Sequence, residues 1–301
     1  MISAIVHTFN EEKNISRCLT SLDFVQEIVV IDMGSSDKTL TIAKEFPVSV
    51  FSHPYTGFVE SARNFGISKA KGDWLLIVDA DEVVPRTLGD KLRQLSGDKQ
   101  QQVKFYRLPR KNIILGKWIK HSGWWPDHQI RFFKKGSVIW NGEIHGVPIT
   151  RGEGRELAAQ EDLSLIHYHY DSLEQYLERL NRYTTIQAKE LFLKNKKAEL
   201  SMMFSYPVNE FVKRFFLLEG YRDGFHGLSL ALLQSFSELV VILKLWELSG
   251  FRQEHISLSE YKRLSDNADK IKKYWLANEL LKKPRHFISS LYLKILRSLN
   301  S

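Results

Sequence analysis

The stretch WLLIVDADE, residues 74–82, decides the fold because it joins a run of apolar residues directly to a group of acidic ones. A run such as WLLIV is typical of a strand buried on both faces of a parallel sheet. Asp79 and Asp81 follow this run two positions apart, in the place where ligands bind in sheets of this kind. The pair predicts either a site for a divalent cation, since oxygen ligands suit Mg²⁺ or Mn²⁺, or a loop that caps the next helix.

Short apolar segments alternate with helical patterns upstream of this stretch. Strands are predicted at residues 2–7, 27–31, 48–52 and 74–78, and helices at residues 10–22, 35–46 and 58–70. Alternation at this spacing predicts an α/β fold with a parallel, doubly wound sheet and helices on both of its faces. The residues just after the strands, among them Thr8, Asp32 and Asp79, are then expected to share one edge of the sheet.

The rest of the chain changes character twice. Strands separated by loops are predicted at residues 103–108, 129–133, 138–140 and 165–168, and a helical pattern begins at Leu173 and runs to the end. The sequence has neither G-x-G-x-x-G after its first strand nor G-x-x-x-x-G-K-[ST] anywhere. The first absence argues against a dinucleotide-binding Rossmann domain, and the second excludes a P-loop enzyme.

The composition is that of an ordinary globular protein, with 43% apolar and 26% charged residues among 301. It excludes collagen-like, low-complexity and wholly disordered chains. The single cysteine, Cys18, cannot form an intramolecular disulfide, and the first residues lack the basic segment and long apolar run of a secretory signal. We therefore expect a cytoplasmic protein.

The net charge of +8 is concentrated in residues 251–301, which hold eleven Lys or Arg against five Asp or Glu. Residues 228–248 form an apolar segment interrupted by Gln, Ser, Glu and Lys, which we interpret as an amphipathic or buried helix and not as a membrane span. Basic segments beside apolar helices are typical of contact with nucleic acid or an anionic membrane face, or of a solvated helical surface. The sequence shows no nucleic-acid-binding motif, so we expect no nucleic-acid partner.

Several motifs together indicate one family. In the first 85 residues they are HTFNEE (residues 7–12), VIDMGSSDKT (30–39), ARNFG (62–66), and KGDW (71–74) leading into DADE (79–82). In order and spacing these motifs resemble the family 2 glycosyltransferases, which have the GT-A fold. Further along, the chain resembles the lipopolysaccharide-core β-glucosyltransferase branch through GWWPD (123–127), RFF (131–133), NGEIH (141–145) and HYHY (167–170).

The resemblance implies a GT-A fold, that is, a Rossmann-like nucleotide-binding sheet with mixed acceptor-side strands, plus a C-terminal helical extension. It divides the chain into a catalytic domain at residues 1–170, with a nucleotide-sugar half (1–85) and an acceptor half (86–170), and a helical region at 171–301. The helical region is expected either to contact the membrane or acceptor, on the inner face of the cytoplasmic membrane, or to form the face of a homodimer.

The activity that the resemblance implies is the inverting, metal-dependent transfer of a hexose. The donor would be a nucleotide sugar of the UDP-glucose kind, and the acceptor a hydroxyl of a cell-envelope glycan or of a lipid-linked molecule such as lipopolysaccharide core. The diphosphate leaving group would be stabilised by Mn²⁺ or Mg²⁺ acting as a Lewis acid.

The resemblance also implies roles for individual residues. Contacts to the nucleotide sugar are expected from Thr8, Asn10, Glu11, Asp32, Arg63, Asp79 and Ala80. Ligands for the metal are expected from Asp79, Asp81, His167 and His169, with Asp81 preferred as the direct ligand. The alternative for Arg63 is an ion pair with Asp79 or Asp81. At least one of the two histidines is expected to be structural, because they lie on the same side of a strand.

The chain departs from the branch at the residue expected to be the catalytic base. The branch usually has His-Glu where this chain has His145-Gly146, so the expected carboxylate is missing. We favour Glu143 over Asp127 as the base, with His145 as a third candidate. Burial of the chosen carboxylate is expected to raise its pKa toward neutrality.

Three other functions remain open at this point. A polyprenyl-phosphate glycosyltransferase shares the fold but needs no base to deprotonate a hydroxyl, which would explain the missing His-Glu carboxylate. A haloacid-dehalogenase-like phosphatase would use Asp79 as a nucleophile, but the sequence shows no convincing later acidic pair for it. The third is a nucleotide-sugar binder without catalysis.

Overall fold

The structure is a computed structural model that describes residues 1–55, 60–98, 100, 102–140, 148–253, 255–282 and 287–300. The chain forms two compact units. The first contains residues 1–114 and 125–169, and the second contains residues 115–124 and 170–301. The prediction placed residues 115–124 with the first 170 residues. They join the helical unit because backbone groups of His121 and Ser122 bond to the Asp223 carboxylate and the Leu218 carbonyl, both at 2.8 Å.

The strands are short and mostly lie in the first unit. They are β1 (Ile2–Thr8), β2 (Glu27–Asp32), β3 (Ser49–Ser52), β4 (Trp74–Asp79), β5 (Glu82–Val83), β6 (Val103–Leu108), β7 (Arg110–Ile114), β8 (Lys117–Trp118), β9 (Gln129–Lys134), β10 (Val138–Ile139), β11 (Ile149–Thr150), β12 (Glu153–Glu156) and β13 (Leu165–Tyr170). Seven of them form the main sheet, in the order β12-β6-β9-β4-β1-β2-β3.

The main sheet has a parallel part and a mixed part. Strands β1 to β4 pair in parallel, as the strand–helix alternation predicts. Strand β9 then runs antiparallel to both β4 and β6, which confirms the predicted mixed strands on the acceptor side. The register sets Thr8 opposite Asp32 and His7 opposite Asp79. The polar ends of the three central strands therefore lie side by side.

Alternation along the strands fills two cores. Ala4 and Val6 of β1 face one apolar cluster, whereas Ile5 faces the other, because successive side chains of a strand point to opposite faces. The helices of this unit are α1 (Ile15–Thr20), α2 (Thr39–Ala43), α3 (Glu60–Lys69) and α4 (Arg86–Gly97). Both faces of the sheet are thus apolar, as expected for a doubly wound arrangement.

The predicted helices at residues 10–22 and 35–46 are wrong over their first residues. Asn10 has a left-handed backbone with φ of 54°, so no right-handed helix can begin there. The backbone N–H groups of Gly34 and Ser35 bond to the Asp32 carboxylate at 3.1 and 3.2 Å. The residues before α1 and α2 are thus used to build loops at the end of the sheet.

A second sheet of the first unit has the order β5-β13-β7. Its register sets His167 opposite Glu82, and the Tyr168 backbone N–H donates to the Asp81 carbonyl at 2.9 Å. Strand β7, directly after Pro109, is not apparent from the sequence because RKNII does not alternate in polarity. This sheet brings β13 to the acidic residues that follow β4.

The second unit is mainly helical. Its long helices are α5 (Leu173–Leu193), α6 (Leu200–Val212), α7 (Phe225–Leu248), α8 (Leu258–Leu281) and α9 (Phe287–Leu299). Ser172 and Ser257 cap α5 and α8, because each hydroxyl accepts a hydrogen bond from a backbone N–H three residues later, at 3.1 Å. Helix α7 packs against α5 and α6, and α8 packs against α6 and α9.

Within the described residues, α7 is the one helix long and apolar enough to cross a membrane by length and composition alone. Its most apolar window has a mean hydropathy of 1.7, and 28% of that window is buried. Two of its polar residues have partners inside the unit. Gln234 Nε2 donates to the Tyr176 hydroxyl and Ser235 Oγ donates to the Pro207 carbonyl, both at 2.7 Å. These bonds support our interpretation of α7 as a packed helix.

Replacing Gly66 by alanine is expected to destabilise the first unit. A Cβ at Gly66 would lie 2.6 Å from Ile5 Cγ2 and 3.1 Å from Ile31 Cγ1, so α3 would have to move away from β1 and β2. We expect Gly66→Ala to lower the free energy of unfolding by about 1–3 kcal/mol, measured by urea denaturation.

Gly97→Ala is the matched control, because nothing lies within 4 Å of a Cβ built at this helical glycine. It should leave stability unchanged or raise it by up to ~1 kcal/mol. Equal effects of the two substitutions would contradict the close packing of α3 on the sheet.

Candidate active site

The loops after β1 and β2 are joined by hydrogen bonds between side chains and backbone. The Asn10 N–H donates to Ser35 Oγ at 2.9 Å, and the Ser36 N–H donates to Asn10 Oδ1 at 2.8 Å. The Glu11 N–H donates to Thr39 Oγ1 at 2.8 Å. Since polar side chains satisfy backbone groups in this way, the two loops form one rigid wall beside the ends of the strands.

The predicted nucleotide-binding residues lie along this wall. Asp32 is buried, and its carboxylate fixes the turn at Gly34 and Ser35. Thr8, opposite Asp32 in the register, is also buried, and its hydroxyl has no hydrogen-bond partner among the described residues. Burying a hydroxyl without a hydrogen-bond partner costs free energy. This cost is expected for a group that forms its hydrogen bond only when a ligand binds. The structure thus brings Thr8, Asn10, Glu11 and Asp32 together.

Two arginines hold the Asp79 carboxylate. Arg63 Nη2, from α3, lies 3.3 Å from Oδ1, and Arg131 Nη2, from β9, lies 2.5 Å from Oδ2. Arg131 also pairs with the fully buried Glu82 at 2.8 Å, and Glu82 in turn accepts from the Asp79 N–H at 2.9 Å. The alternative that Arg63 pairs with Asp79 is confirmed for this structure.

The electrostatics of this cluster follow from burial and from the two arginines. Burial alone would raise the pKa of Asp79, but Arg131 and Arg63 hold that pKa well below its usual range. The neighbouring His7 is fully buried, and burial first, then Arg63, lowers its pKa from 6.5 to about 3. At neutral pH the site therefore contains an ionised Asp79 beside a neutral His7.

Asp127 is also held by an arginine. Its carboxylate accepts from Arg110 Nε at 2.9 Å and from Arg110 Nη2 at 2.5 Å, and Gln129 Nε2 donates to it at 2.8 Å. Burial raises the pKa of Asp127, but Arg110 and the hydrogen bonds outweigh burial and lower it. The structure thus differs from the expectation that burial raises the pKa of a base at this position toward neutrality.

The histidines lie beside Asp81 in a defined orientation. Asn112 Nδ2 donates to Asp127 at 3.3 Å, so its Oδ1 faces His167 Nδ1, at 2.6 Å. Since an amide oxygen only accepts, the His167 Nδ1–H donates to Asn112, and the other ring nitrogen, Nε2, is turned toward Asp81. That Nε2 lies 3.4 Å from Asp81 Oδ2 and 3.1 Å from His169 Nδ1.

This donor set fits a divalent cation. A carboxylate oxygen and an imidazole lone pair that face each other are a combination that binds Mn²⁺, and the hydrogen bond at Nδ1 orients a ligating histidine. Among the described residues, no group of three or more His, Cys, Asp and Glu is already gathered for a metal. Because Asp79 is held by arginines, the geometry favours Asp81 and His167 over Asp79 as ligands.

Of the remaining predicted residues, the structure describes Ala80 but neither Glu143 nor His145. Ala80 is buried, and its N–H donates to the His7 carbonyl at 3.1 Å. Glu143 and His145 lie outside the described residues. The backbone just before them is fixed, since Asn64 Oδ1 accepts from the Trp140 N–H at 3.0 Å and Asn64 Nδ2 donates to the Trp140 carbonyl at 2.6 Å.

Sequence reasoning missed the roles of Arg110 and Arg131. Arg131 was noticed only as the first residue of the RFF motif, and nothing in that motif shows that it reaches Asp79. The contact depends on the antiparallel pairing of β9 with β4, in which Leu76 lies opposite Phe132. Such pairing between distant segments is not visible in local sequence patterns.

Arg131→Met is expected to destabilise the protein strongly. The substitution leaves the fully buried Glu82 carboxylate and the partly buried Asp79 carboxylate without their shared cation, and breaking a buried ion pair such as Arg131–Glu82 costs about 3–5 kcal/mol. The control is Arg93→Met, which removes an exposed pair with Asp90 that is worth about 0–1 kcal/mol. If thermal unfolding shows the two variants to be equally stable, the proposed importance of the buried cluster is wrong.

Comparison with known proteins matches the chain to glycosyltransferases. Residues 3–150 match the family described as glycosyl transferase family 2. A relative described as an uncharacterized glycosyltransferase, RT0209 of Rickettsia typhi, is 28% identical over 269 residues, which is 86% of this chain and 91% of that protein. The lipopolysaccharide core biosynthesis glycosyltransferase LpsC of Rhizobium meliloti is 22% identical over 75% of this chain and 84% of its own length.

A solved structure with local similarity is glucosyl-3-phosphoglycerate synthase from Mycobacterium tuberculosis, in complex with Mn²⁺, UDP and glucosyl-3-phosphoglycerate. It is 22% identical with a TM-score of 0.32, over 36% of this chain and 44% of that one. The match thus spans less than half the length of the solved chain. The family match covers the sheet that carries Thr8, Asp32 and Asp79. Residues 3–150 therefore form a glycosyl transferase family 2 domain with the GT-A fold, and the chain is a glycosyltransferase.

Proposed function

We propose that this chain is an inverting, metal-dependent hexosyltransferase that uses a nucleotide sugar of the UDP-glucose kind. The acceptor is a hydroxyl of a cell-envelope glycan or a lipid-linked molecule, of which lipopolysaccharide core is the leading example. The observation that most supports the proposal is the register of the sheet, which sets Thr8 beside Asp32 and His7 beside Asp79 at one edge. That edge is where α/β sheets bind nucleotides.

The nucleoside of the donor is proposed to contact Thr8 and Asp32. The Thr8 hydroxyl has no partner among the described residues, and the Asp32 carboxylate, already fixed by two backbone N–H groups, has lone pairs left for a ribose hydroxyl or a base N–H. Asn10 and Glu11 shape the wall behind them. This arrangement selects a nucleoside by hydrogen bonds at a site that needs little rearrangement.

The diphosphate is proposed to lie next to Arg63 and the acidic pair. Asp81 and His167 would hold Mn²⁺ or Mg²⁺, which when bound acts as a Lewis acid that stabilises the leaving diphosphate. Asn112 holds the His167 ring with its Nε2 directed at Asp81. Asp79 stays ionised between Arg63 and Arg131, so it positions the arginines and does not take up a proton during the reaction.

The base that deprotonates the acceptor is proposed to be Glu143. Asp127 is ion-paired with Arg110, and its pKa is lowered, so it is a weak base whose carboxylate is already occupied by donors. It is better suited to positioning Arg110 and Asn112. Glu143 follows Trp140, whose backbone Asn64 holds on both sides, so the segment that bears Glu143 starts from a fixed point of the first unit.

The same observation on Asp127 favours a second candidate, transfer to a polyprenyl phosphate. A phosphate oxygen is already a nucleophile, so that reaction needs no carboxylate of raised pKa. We do not propose the phosphatase, since its nucleophile would be Asp79, which is clamped by two arginines, and the family match is to transferases. A nucleotide-sugar binder without catalysis is likewise disfavoured by that match.

The acceptor class is supported by the relative LpsC, which is described as a lipopolysaccharide core biosynthesis enzyme and aligns over three quarters of this chain. An acceptor of that kind places the enzyme in the cytoplasm, at the inner face of the cytoplasmic membrane. We propose that the helical unit supplies the contact with this surface; a homodimer through the same helices is the alternative.

A thermal-shift screen of UDP-, GDP- and dTDP-sugars, with and without Mn²⁺, tests the donor, because a bound ligand raises the melting temperature.

Asp81→Asn is expected to abolish metal-dependent donor binding. The substitution removes the carboxylate that faces His167, and even the loss of an outer partner of a metal ligand lowers affinity by about 10–100-fold. Calorimetric titration of UDP in the presence of Mn²⁺ measures the loss. Asp90→Asn, at an exposed position of α4, is the control and should bind like the original chain. Unchanged UDP affinity in Asp81→Asn would refute the assignment.

Glu143→Gln is expected to lower turnover by about 10²–10⁴-fold, the usual contribution of a general base, while UDP binding stays the same.

Asp127→Asn removes the ion pair with Arg110. Because the pKa of Asp127 is lowered in the folded state, the pair stabilises the fold above the ordinary carboxylate range and is lost as the pH falls below it.

Asp127→Asn should therefore lose part of the acid dependence of stability, measured by melting temperature between neutral and acidic pH. If instead Asp127→Asn stops turnover at unchanged stability and Glu143→Gln does not, the base is Asp127. If neither substitution affects turnover, the polyprenyl-phosphate alternative gains support.

A further inference from the structure

A cavity of about 290 Å³ lies in the helical unit, where the C-terminal ends of α5 and α7 come together. It is lined by Phe192, Asn195, Lys196, Lys197, Ala198, Trp246, Ser249 and Arg252. We propose that this cavity binds the phosphate of an anionic lipid headgroup and so docks the helical unit on an anionic membrane surface. The inference specifies the membrane contact proposed above, but it depends on neither the donor nor the sugar transfer.

The first reason is the charge of the cavity. It is lined by three cations, Lys196, Lys197 and Arg252, and by no acidic residue. In the part of the chain that the structure describes, none of the three makes an ion pair, whereas other surface lysines of this unit do, such as Lys213 with Glu210 at 3.3 Å. Three exposed cations converging without a counter-ion attract a group that carries negative charge, and a phosphate satisfies them.

The second reason is the apolar surface at the same place. Leu193 is 80% exposed and Phe251 is 54% exposed, and Phe192 and Trp246 are exposed over 44% and 40% of their surface. The Trp246 indole N–H donates to the Arg252 carbonyl at 2.8 Å, and its ring meets Phe251 edge-on with centroids 5.0 Å apart. Leaving so much apolar surface in water is unfavourable. Aromatic rings beside Lys and Arg are typical of the headgroup level of a membrane.

The third reason is that the apolar surface continues along α7. Leu232, Phe236 and Leu243 are exposed and repeat at intervals of four and seven residues, so they lie on one side of the helix that ends at the cavity. An exposed apolar side next to a cationic end is the pattern of a helix lying on a lipid surface. Nucleic acid would satisfy the cations but not these apolar side chains, so lipid is the better match.

The test is binding of the full chain to vesicles, measured by co-sedimentation. We expect binding to vesicles of phosphatidylcholine with phosphatidylglycerol and much weaker binding to phosphatidylcholine alone. The variant Lys196→Gln/Lys197→Gln/Arg252→Gln should bind the anionic vesicles roughly a hundredfold more weakly, from roughly fivefold for each charge removed near the surface. The matched control removes the same charge from α8, as Lys262→Gln/Lys270→Gln/Lys273→Gln, and should retain most of the binding.

A second variant tests the apolar part. Leu193→Ser changes a side chain that is almost fully exposed, so it should fold normally, which circular dichroism can check, and still bind anionic vesicles less tightly. The proposal is overturned if anionic and neutral vesicles bind equally, or if the two triple variants lose binding equally. It is also overturned if inorganic phosphate or a DNA oligonucleotide binds at these cations while vesicles do not. UDP titration of the same variants should be unchanged, which separates this result from any failure of the proposed transferase activity.

Discussion

A carboxylate withdrawn from water must be compensated by charge or give up its ionisation, and the partly buried Asp79 meets that requirement through two arginines. Arg63 and Arg131 compensate it from opposite sides, one from α3 and one from β9. Arg131 in turn is shared with Glu82, and Glu82 with Arg110. These ion pairs form a network in which positive and negative side chains alternate, in the order Arg63, Asp79, Arg131, Glu82, Arg110 and Asp127. Each member is held by its neighbours, so a shift of one strand would break several ion pairs at once.

The acidic residues of the site are of two kinds, according to the partners of their carboxylates. The carboxylates of Asp79, Glu82 and Asp127 form ion pairs with three arginines and so have a structural role. Asp81 differs from them in facing a histidine, because its Oδ2 lies 3.4 Å from His167 Nε2. The roles proposed above for the two carboxylates of the D-x-D pair therefore differ, although these residues are only two positions apart. The proposal rests on their different partners, which the sequence does not show.

The sequence was sufficient for features that depend on local pattern. Apolar runs located the four parallel strands to within two residues, and the acidic residues at the ends of β2 and β4 lie at one edge of the sheet, as the strand pattern predicts. It was insufficient where a contact joins distant segments. Arg110 and Arg131 reach Glu82 only because β7, β9 and β13 surround the end of β4. The helices at residues 10–22 and 35–46 were predicted too long, since side chains there bond to loop backbone and end the helical pattern early.

Helix α3 links the two halves of the proposed reaction. Two adjacent residues of its ARNFG motif contact different parts of the first unit. Arg63 pairs with Asp79 at the end of β4, and Asn64 bonds to both the N–H and the carbonyl of Trp140. The Arg63 guanidinium also lies over the Trp140 ring, 5.6 Å from its centroid. Gly66 lets this helix approach β1 closely enough for both contacts. One helix thus joins the carboxylate at the end of β4 to the end of β10, and a displacement reaction of the proposed kind needs its reacting groups to be held in constant geometry.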